Sequence, residues 1–160
     1  MSKLAFVLIL VSTVALANDQ TAVPPDFSGQ WQFKKDQSDT GGFTAPDSLK
    51  RTVTFRVRDA LLQVHTTQTN AGKPNAQDMK YFTNGFETKN SINGLNAFST
   101  AHWQDTTLLI HTNLQDAQGD AVVIEEQWSL ATDKRTLTTT TKIITTRGAT
   151  TSKLVWQKGE

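Results

Sequence analysis

Alternation of apolar and polar residues, interrupted at short intervals by turn dipeptides, is the feature that most limits how this chain can fold. Successive side chains of a strand point to opposite faces, so a period of two predicts strands, and no window after residue 17 has the apolar spacing of a helix. Asn84-Gly85 and Asn93-Gly94 separate alternating segments, and Asn-Gly suits a tight hairpin turn. Threonine, present 25 times, adds to the strand signal because β-branched side chains fit a pleated surface.

The pattern predicts ten strands joined mostly by hairpins. They are residues 29–35, 51–58, 61–69, 77–83, 86–92, 97–104, 107–114, 121–130, 135–146 and 150–158. An all-β, antiparallel up-and-down barrel of about eight to ten strands removes the exposed edges of an open sheet, whereas a sandwich usually needs longer crossovers. Residues 36–48 are predicted to form a loop over one barrel end.

The first 17 residues have the layout of a secretory signal peptide. Lys3 precedes an apolar run over residues 4–11, which is too short to span a bilayer. Ala15-Leu16-Ala17 has the small residues of a signal-peptide cleavage site. We expect a signal peptide at 1–17, an N-terminal linker at 18–26 and a single β-barrel domain at 27–160. The protein is then expected to be periplasmic or secreted, without a membrane anchor.

The composition restricts the class of partner. The chain has no cysteine, so a hydrophobic core alone must hold the fold. Loss of Lys3 with the leader reduces Lys and Arg from 16 to 15, which equals the 15 Asp and Glu. A neutral domain without a basic run does not predict binding to nucleic acid. We expect a small hydrophobic molecule as partner, with a protein partner as the other possibility.

The stretch FSGQWQF, residues 27–33, places Gly29 two positions before Trp31 at the start of the first strand. This arrangement is similar to the Gly-x-Trp signature of calycins, the group of lipocalins, fatty-acid-binding proteins and avidins. Together with SDTGGFTAPDSL and the closing KLVWQK, it resembles small secreted bacterial lipocalin-like proteins. The resemblance implies a lipocalin-like barrel whose floor is plugged by Trp31. It departs from fatty-acid-binding proteins, since residues 36–48 are too rich in Gly, Asp and Pro for two helices.

Some calycins also keep a basic residue over the tryptophan. Arg147 and Lys153 are the loose candidates here, although strand parity points Lys153 to solvent.

Alternation sets one carboxylate among large apolar residues. Glu126 shares a strand face with Ile124 and Trp128, and a buried carboxylate must be hydrogen-bonded, paired or protonated. Such groups occur in small numbers in the walls of ligand pockets. The alternative is that Glu126 is solvated at the barrel mouth or pairs with Lys142 or Arg135.

The same reasoning gives a set of candidate ligand-binding residues. Glu126 or Thr141 would hold a polar end of the ligand, although strand propensity alone also explains the threonines. The full set is Trp31, Phe55, Val64, Glu126, Trp128, Thr141 and Trp156.

No catalytic residue, metal site or cofactor is predicted, and the protein is expected not to be an enzyme. There is no cysteine nucleophile, Gly-x-Ser-x-Gly or HExxH. A turn centred on Asp105-Thr106 would make His102 and His111 diagonal neighbours on an outer face, but no third metal ligand has a fitting position.

Two functions of different class remain open. The first is non-catalytic binding of a small, mainly apolar ligand. The second is a barrel filled by its own side chains that acts through its surface as an envelope interaction or inhibitory module. A calycin-type enzyme acting on a bound lipid is a weaker third hypothesis. A cavity of some hundreds of cubic ångströms would favour the binder over the filled barrel.

Overall fold

The computed structural model describes residues 23–159. The signal peptide expected at 1–17, and most of the linker expected at 18–26, lie outside the described residues. The ten strands are Gly29–Phe33 (β1), Ser48–Arg56 (β2), Leu61–Asn70 (β3), Lys73–Phe82 (β4), Thr88–Ile92 (β5), Leu95–Gln104 (β6), Thr107–Gln115 (β7), Ala121–Leu130 (β8), Thr136–Thr145 (β9) and Gly148–Lys158 (β10).

The strands form one antiparallel sheet that closes almost completely. Each strand pairs with its neighbours in the chain, except that β4 and β5 form no ladder, and β1 also pairs with β10. The prediction of an up-and-down β-barrel is confirmed. The helical elements between residues 23 and 159 are two single 3₁₀ turns, Lys35–Gln37 and Val57–Asp59, and no helix there is long and apolar enough to cross a membrane.

Side chains close the seam between β4 and β5. The backbone N–H of Lys80 donates to Asn90 Oδ1 over 2.8 Å, and Asn90 Nδ2 donates to the Lys80 carbonyl over 2.9 Å. The carboxamide therefore supplies the donor and the acceptor that a neighbouring peptide would supply in a ladder. Farther along, Gln77 Nε2 donates to the Ser91 carbonyl over 2.7 Å. The barrel is continuous in hydrogen bonding although its backbone ladder is not.

Most predicted strands differ from the structure at one end or both. The largest difference is in β4, which begins at Lys73 instead of residue 77, and β2 begins at Ser48 instead of residue 51. Two other ends have a local cause. The second strand ends at Arg56, before the predicted end at residue 58, because the chain turns away through the 3₁₀ turn Val57–Asp59 and the left-handed Ala60; Val57 is 57% exposed. The fifth strand begins at Thr88, since the preceding segment crosses to β6, where the Gly85 N–H donates to the Ala101 carbonyl over 2.8 Å. Asn84-Gly85 is thus not a two-residue hairpin turn.

Aromatic side chains fill one end of the barrel, here called the closed end. Trp31 is 1% exposed, and its Nε1 donates to the Phe27 carbonyl over 2.9 Å. The Phe27 ring packs against Trp103 and Trp128, with centroids 5.5 and 5.9 Å apart, and Phe55 lies 5.8 Å from Trp103. Complete burial of such side chains contributes about 1.5–3 kcal/mol each, so this cluster is a main source of stability.

The Gly29-x-Trp31 pair has a local explanation. Gly29 has a φ of +141°, and a Cβ there would collide with the aliphatic part of the Lys158 side chain. Because glycine leaves this space open, Lys158 crosses the strand and sets its Nζ 5.4 Å from the Trp31 ring centroid. Lys158 is therefore the basic residue over the tryptophan, and the candidates Arg147 and Lys153 are both exposed instead.

The long loop before β2 lies at the opposite end, here called the mouth. Asp39 and Lys153 exchange two backbone hydrogen bonds of 2.8 and 2.7 Å, and the Asp47 N–H donates to the Thr69 carbonyl over 2.9 Å. The loop therefore extends from β10 to β3 past the end of the short strand β1. Gly41, with a φ of +62°, packs directly on the Thr151 carbonyl, where a Cβ has no room.

Candidate functional site

The barrel interior holds a cavity of about 300 Å³ between the aromatic cluster and the mouth. It lies at the lower end of the range of roughly 300–1,000 Å³ for small-molecule sites. A depression of about 510 Å³ between β6 and β7 is larger, but it is an open groove on the outer surface beside Phe98 and Asn113. The lining residues of the interior cavity are Arg51, Val64, Thr66, Gln68, Asn75, Ala76, Gln77, Met79, Tyr81, Ile92, Asn93, Thr112, Ile124, Glu126, Trp128, Thr141 and Ile143.

Arg51 on β2 is the basic residue of this wall. Its guanidinium carbon lies 4.8 Å from the Trp128 ring centroid and 4.4 Å from that of Trp156, so two indole faces flank the charge. Arg51 Nε donates to Thr66 Oγ1 over a long 3.3 Å, and the buried Nη1 has no hydrogen-bond partner. Burial lowers the pKa of Arg51, and the nearby acidic groups of Glu126 and Tyr81 oppose that shift. A guanidinium nevertheless stays protonated in proteins.

Glu126 on β8 supplies the acidic group. It stands directly across from Thr141 on β9, whose hydroxyl donates to Oε1 over 3.4 Å. Burial raises the pKa of Glu126, and the Arg51 charge opposes the rise, as do Trp128 and Thr141 more weakly. Trp128 Nε1 is buried and has no hydrogen-bond partner. The carboxyl is thus enclosed and weakly hydrogen-bonded.

Arg51 and Glu126 share the cavity without forming an ion pair. The ion pairs among residues 23–159 join other residues, and Lys142 pairs with Glu125 over 3.8 Å on the outer face. Arg51 and Glu126 retain some accessible surface because they line the cavity, although protein surrounds both. The expected alternatives for Glu126, pairing with Lys142 or Arg135, are therefore wrong.

Tyr81 on β4 faces the same two groups. It is 4% exposed, and burial together with the Glu126 charge raises the pKa of its hydroxyl well above the ordinary value, against the opposing effect of Arg51. The phenol therefore remains a hydrogen-bond donor at neutral pH. Arg51, Tyr81 and Glu126 give this apolar pocket three groups able to orient a polar end of a ligand.

The structure divides the predicted ligand-binding residues between the cavity and the packed core. Val64, Glu126, Trp128 and Thr141 line the cavity. Trp31, Phe55 and Trp156 instead belong to the core cluster, and Trp156 contributes through the face it offers to Arg51. Whether any of these residues contacts a ligand remains a prediction.

Sequence reasoning missed Arg51 and Tyr81. The signal for Arg51 was present, since Leu49, Arg51, Val53 and Phe55 alternate on one strand and the other three are buried. Tyr81 and Met79 are two residues apart on β4 and therefore share a face in the same way. Arg51 was missed because an arginine in a strand is usually placed on the solvent side.

The histidines lie outside the cavity. Thr100 pairs with His111 and His102 with Leu109, so the expected diagonal arrangement is confirmed. His65 instead contacts Asp78, with Nδ1 and Oδ1 2.7 Å apart. Within the described residues no group of three or more potential metal ligands occurs.

Comparison with solved structures identifies similar barrels. The chain is similar to secretory abundant heat soluble protein 4 from Ramazzottius varieornatus, with a TM-score of 0.53 and 11% identity, covering 89% of this chain and 100% of that one. It is similar to the zebrafish ileal bile acid-binding protein complexed with cholic acid, with a TM-score of 0.55 and 12% identity over 83% and 98% of the two chains.

A third structure, apo lipid binding protein 8 of Caenorhabditis elegans, has a TM-score of 0.53 and 13% identity over 83% of this chain and 95% of that one. At these identities the similarity shows the fold alone. No protein-family model matches the sequence, and no curated protein sequence matches it either.

Proposed function

We propose that the protein is an exported, non-catalytic binding protein that takes a small, mainly apolar molecule into its barrel cavity. The observation that carries the proposal is the interior cavity of about 300 Å³, which joins apolar walls to a few polar groups. The named functions of two similar barrels, a bile acid-binding protein and a lipid binding protein, agree with this class of ligand. Export is proposed from the leader-like residues 1–17, and the periplasm or the cell exterior is the proposed location.

The cavity favours the binder over a filled barrel. In a filled barrel, side chains occupy the interior from end to end at the density of a protein core. Here the aromatic cluster fills only the closed end, and the half toward the mouth retains space of ligand size. Small residues such as Thr66, Thr112 and Thr141 occupy interior positions where larger apolar side chains would fill a core.

Tryptophan fluorescence can test the proposal, because Trp128 lies in the cavity wall. The mature protein would be titrated with a panel of fatty acids, fatty alcohols, retinoids and sterol-like molecules. We expect saturable quenching or enhancement with a subset of the panel, and Ile124→Trp, which fills part of the cavity, should weaken that binding. Val123→Trp is the control, because Val123 is adjacent to Ile124 on the strand and its side chain points outward. Equal affinities of the two variants, or no binding by the parent protein, would contradict the proposal.

A further inference from the structure

Arg51 is a buried cation that lacks a direct counterion. Two indole faces and one long hydrogen bond hold it, and its Nη1 has no partner. Burying a charge is costly unless the charge is paired, and contacts with indole faces replace only part of the stabilisation that water gives to a positive charge. A permanent positive charge in a cavity wall is therefore suited to an anion, which would restore the missing counterion.

Glu126 is the other ionisable group that such an anion would meet. Arg51 and Glu126 are the charged members of the cavity lining, and Tyr81 is its further titratable member. The groups facing Glu126 are Ile110 from β7, Thr141 from β9, Arg51 from β2 and Tyr81 from β4. Glu126 thus has no cation besides Arg51 among the groups that face it.

An anion beside Arg51 would compete directly with the Glu126 carboxylate. Two negative charges in one poorly solvated site repel each other, and such a pair relieves the repulsion by binding a proton. Burial already raises the pKa of Glu126, so the side chain is disposed to accept that proton. Once protonated, the carboxyl becomes a hydrogen-bond donor that can itself contact the anion.

We propose that the inner end of the cavity binds the anionic headgroup of an amphiphile, that Arg51 holds this headgroup, and that Glu126 takes up one proton from solvent as the headgroup enters. The apolar tail would extend toward the mouth along Ile92, Ile124 and Ile143, which line the cavity there. The ligand class is a singly charged amphiphile with a compact head, such as a carboxylate or a sulfonate. This inference rests on the proposed binding function and narrows its ligand.

Two probes of equal chain length separate charge from apolar burial. Octanesulfonate keeps its negative charge throughout the range from about pH 5.5 to about pH 8, and octanol has no charge there. Isothermal titration calorimetry should show octanesulfonate binding more tightly as the pH falls, by up to about tenfold per pH unit. Repeating the titration near pH 8 in buffers of different ionisation enthalpy should show uptake of up to about one proton per bound sulfonate. Octanol should bind with no pH dependence.

Two matched substitutions locate the proton. Glu126→Gln should abolish the pH dependence and bind octanesulfonate near pH 8 at least about tenfold more tightly than the parent protein does. Glu125→Gln, one residue away on the outer face, should keep the parent slope. Arg51→Met should weaken octanesulfonate binding far more than octanol binding, and Arg51→Lys, which keeps the charge, should recover part of the sulfonate affinity. Circular dichroism and thermal melts would establish that each variant is folded.

The results distinguish this inference from the proposed function. If octanol binds and octanesulfonate does not, the inference is wrong and the binding function stands. The same holds if the parent protein, like Glu126→Gln, binds octanesulfonate equally tightly at about pH 5.5 and about pH 8. If neither probe binds and the ligand panel also fails, both proposals are contradicted.

Discussion

Replacing Thr139 by valine tests how the floor beneath Arg51 is built. Thr139 Oγ1 accepts a 3.0 Å hydrogen bond from Trp156 Nε1, and the two residues are 1% and 0% exposed. Valine preserves the shape of threonine but has no acceptor, and water has no access to replace it. An unsatisfied buried donor costs about 1–3 kcal/mol, whereas the methyl that replaces the hydroxyl recovers about 0.8 kcal/mol through burial. The expected net loss in the free energy of unfolding is therefore about 0.2–2 kcal/mol.

Urea denaturation followed by tryptophan fluorescence measures this loss. With an m-value of about 2 kcal/mol/M, the unfolding midpoint should fall by about 0.1–1 M. Thr138→Val is the control, because it makes the same chemical change at the adjacent outward position and should shift the free energy by less than about 0.5 kcal/mol. A Thr139→Val midpoint equal to that of the control would show that the buried indole N–H does not depend on this hydroxyl.

Three further outcomes follow from the structure. Burial raises the pKa of Glu126 above 4.5 in the folded protein, so the folded state binds this proton more tightly than the unfolded chain does. Stability is therefore lost as the pH rises from about 4.5 through the raised pKa. Thermal melts in that pH range should show the parent protein losing stability relative to Glu126→Gln, whereas at lower pH the two proteins should change in parallel. Gly41→Ala should destabilise the fold more than Gly42→Ala in chemical denaturation, since both have positive φ but only Gly41 meets a backbone carbonyl, and equal losses would contradict this packing. Asn90→Leu should speed amide hydrogen exchange in β4 and β5 compared with β8, because the seam loses its bridging hydrogen bonds, and unchanged exchange would show that the seam does not depend on them.

Strand positions could be predicted from the sequence because turn chemistry and alternation act locally. The eighth strand, Ala121–Leu130, matches the predicted residues 121–130 at both ends. The errors arose where tertiary pairing determined the local structure. Asn84-Gly85 has the composition of a hairpin turn, but pairing of this segment with β6 delays the start of β5 to Thr88.

The candidate site could be predicted only in part, because parity gives a face and not a depth. Parity placed Glu126 and Thr141 inward, and both line the cavity. It also placed Trp31 and Phe55 inward, but these side chains lie in the packed core at the closed end and do not line the cavity. How far along the barrel an inward side chain lies depends on the stagger between strands, which the register of all ten strands sets together.

The polar set of the cavity is a long-range result. Arg51, Tyr81 and Glu126 come from β2, β4 and β8, which are not neighbours of one another in the sheet. No local spacing in the sequence connects these residues. Only closure of the barrel brings them to one cavity, and for that reason the sequence alone indicated Glu126 without its surroundings.

Native mass spectrometry of the protein can establish whether the cavity holds a small ligand. The protein would be produced from the whole sequence, purified without detergent, and measured beside a solvent-extracted sample. We expect a discrete additional mass that disappears on extraction and rebinds when the extract is returned, with loss of rebinding in Ile124→Trp. Protein that is bare as isolated, and that stays bare after incubation with the ligand panel, would contradict the binding function and favour a barrel that acts through its surface.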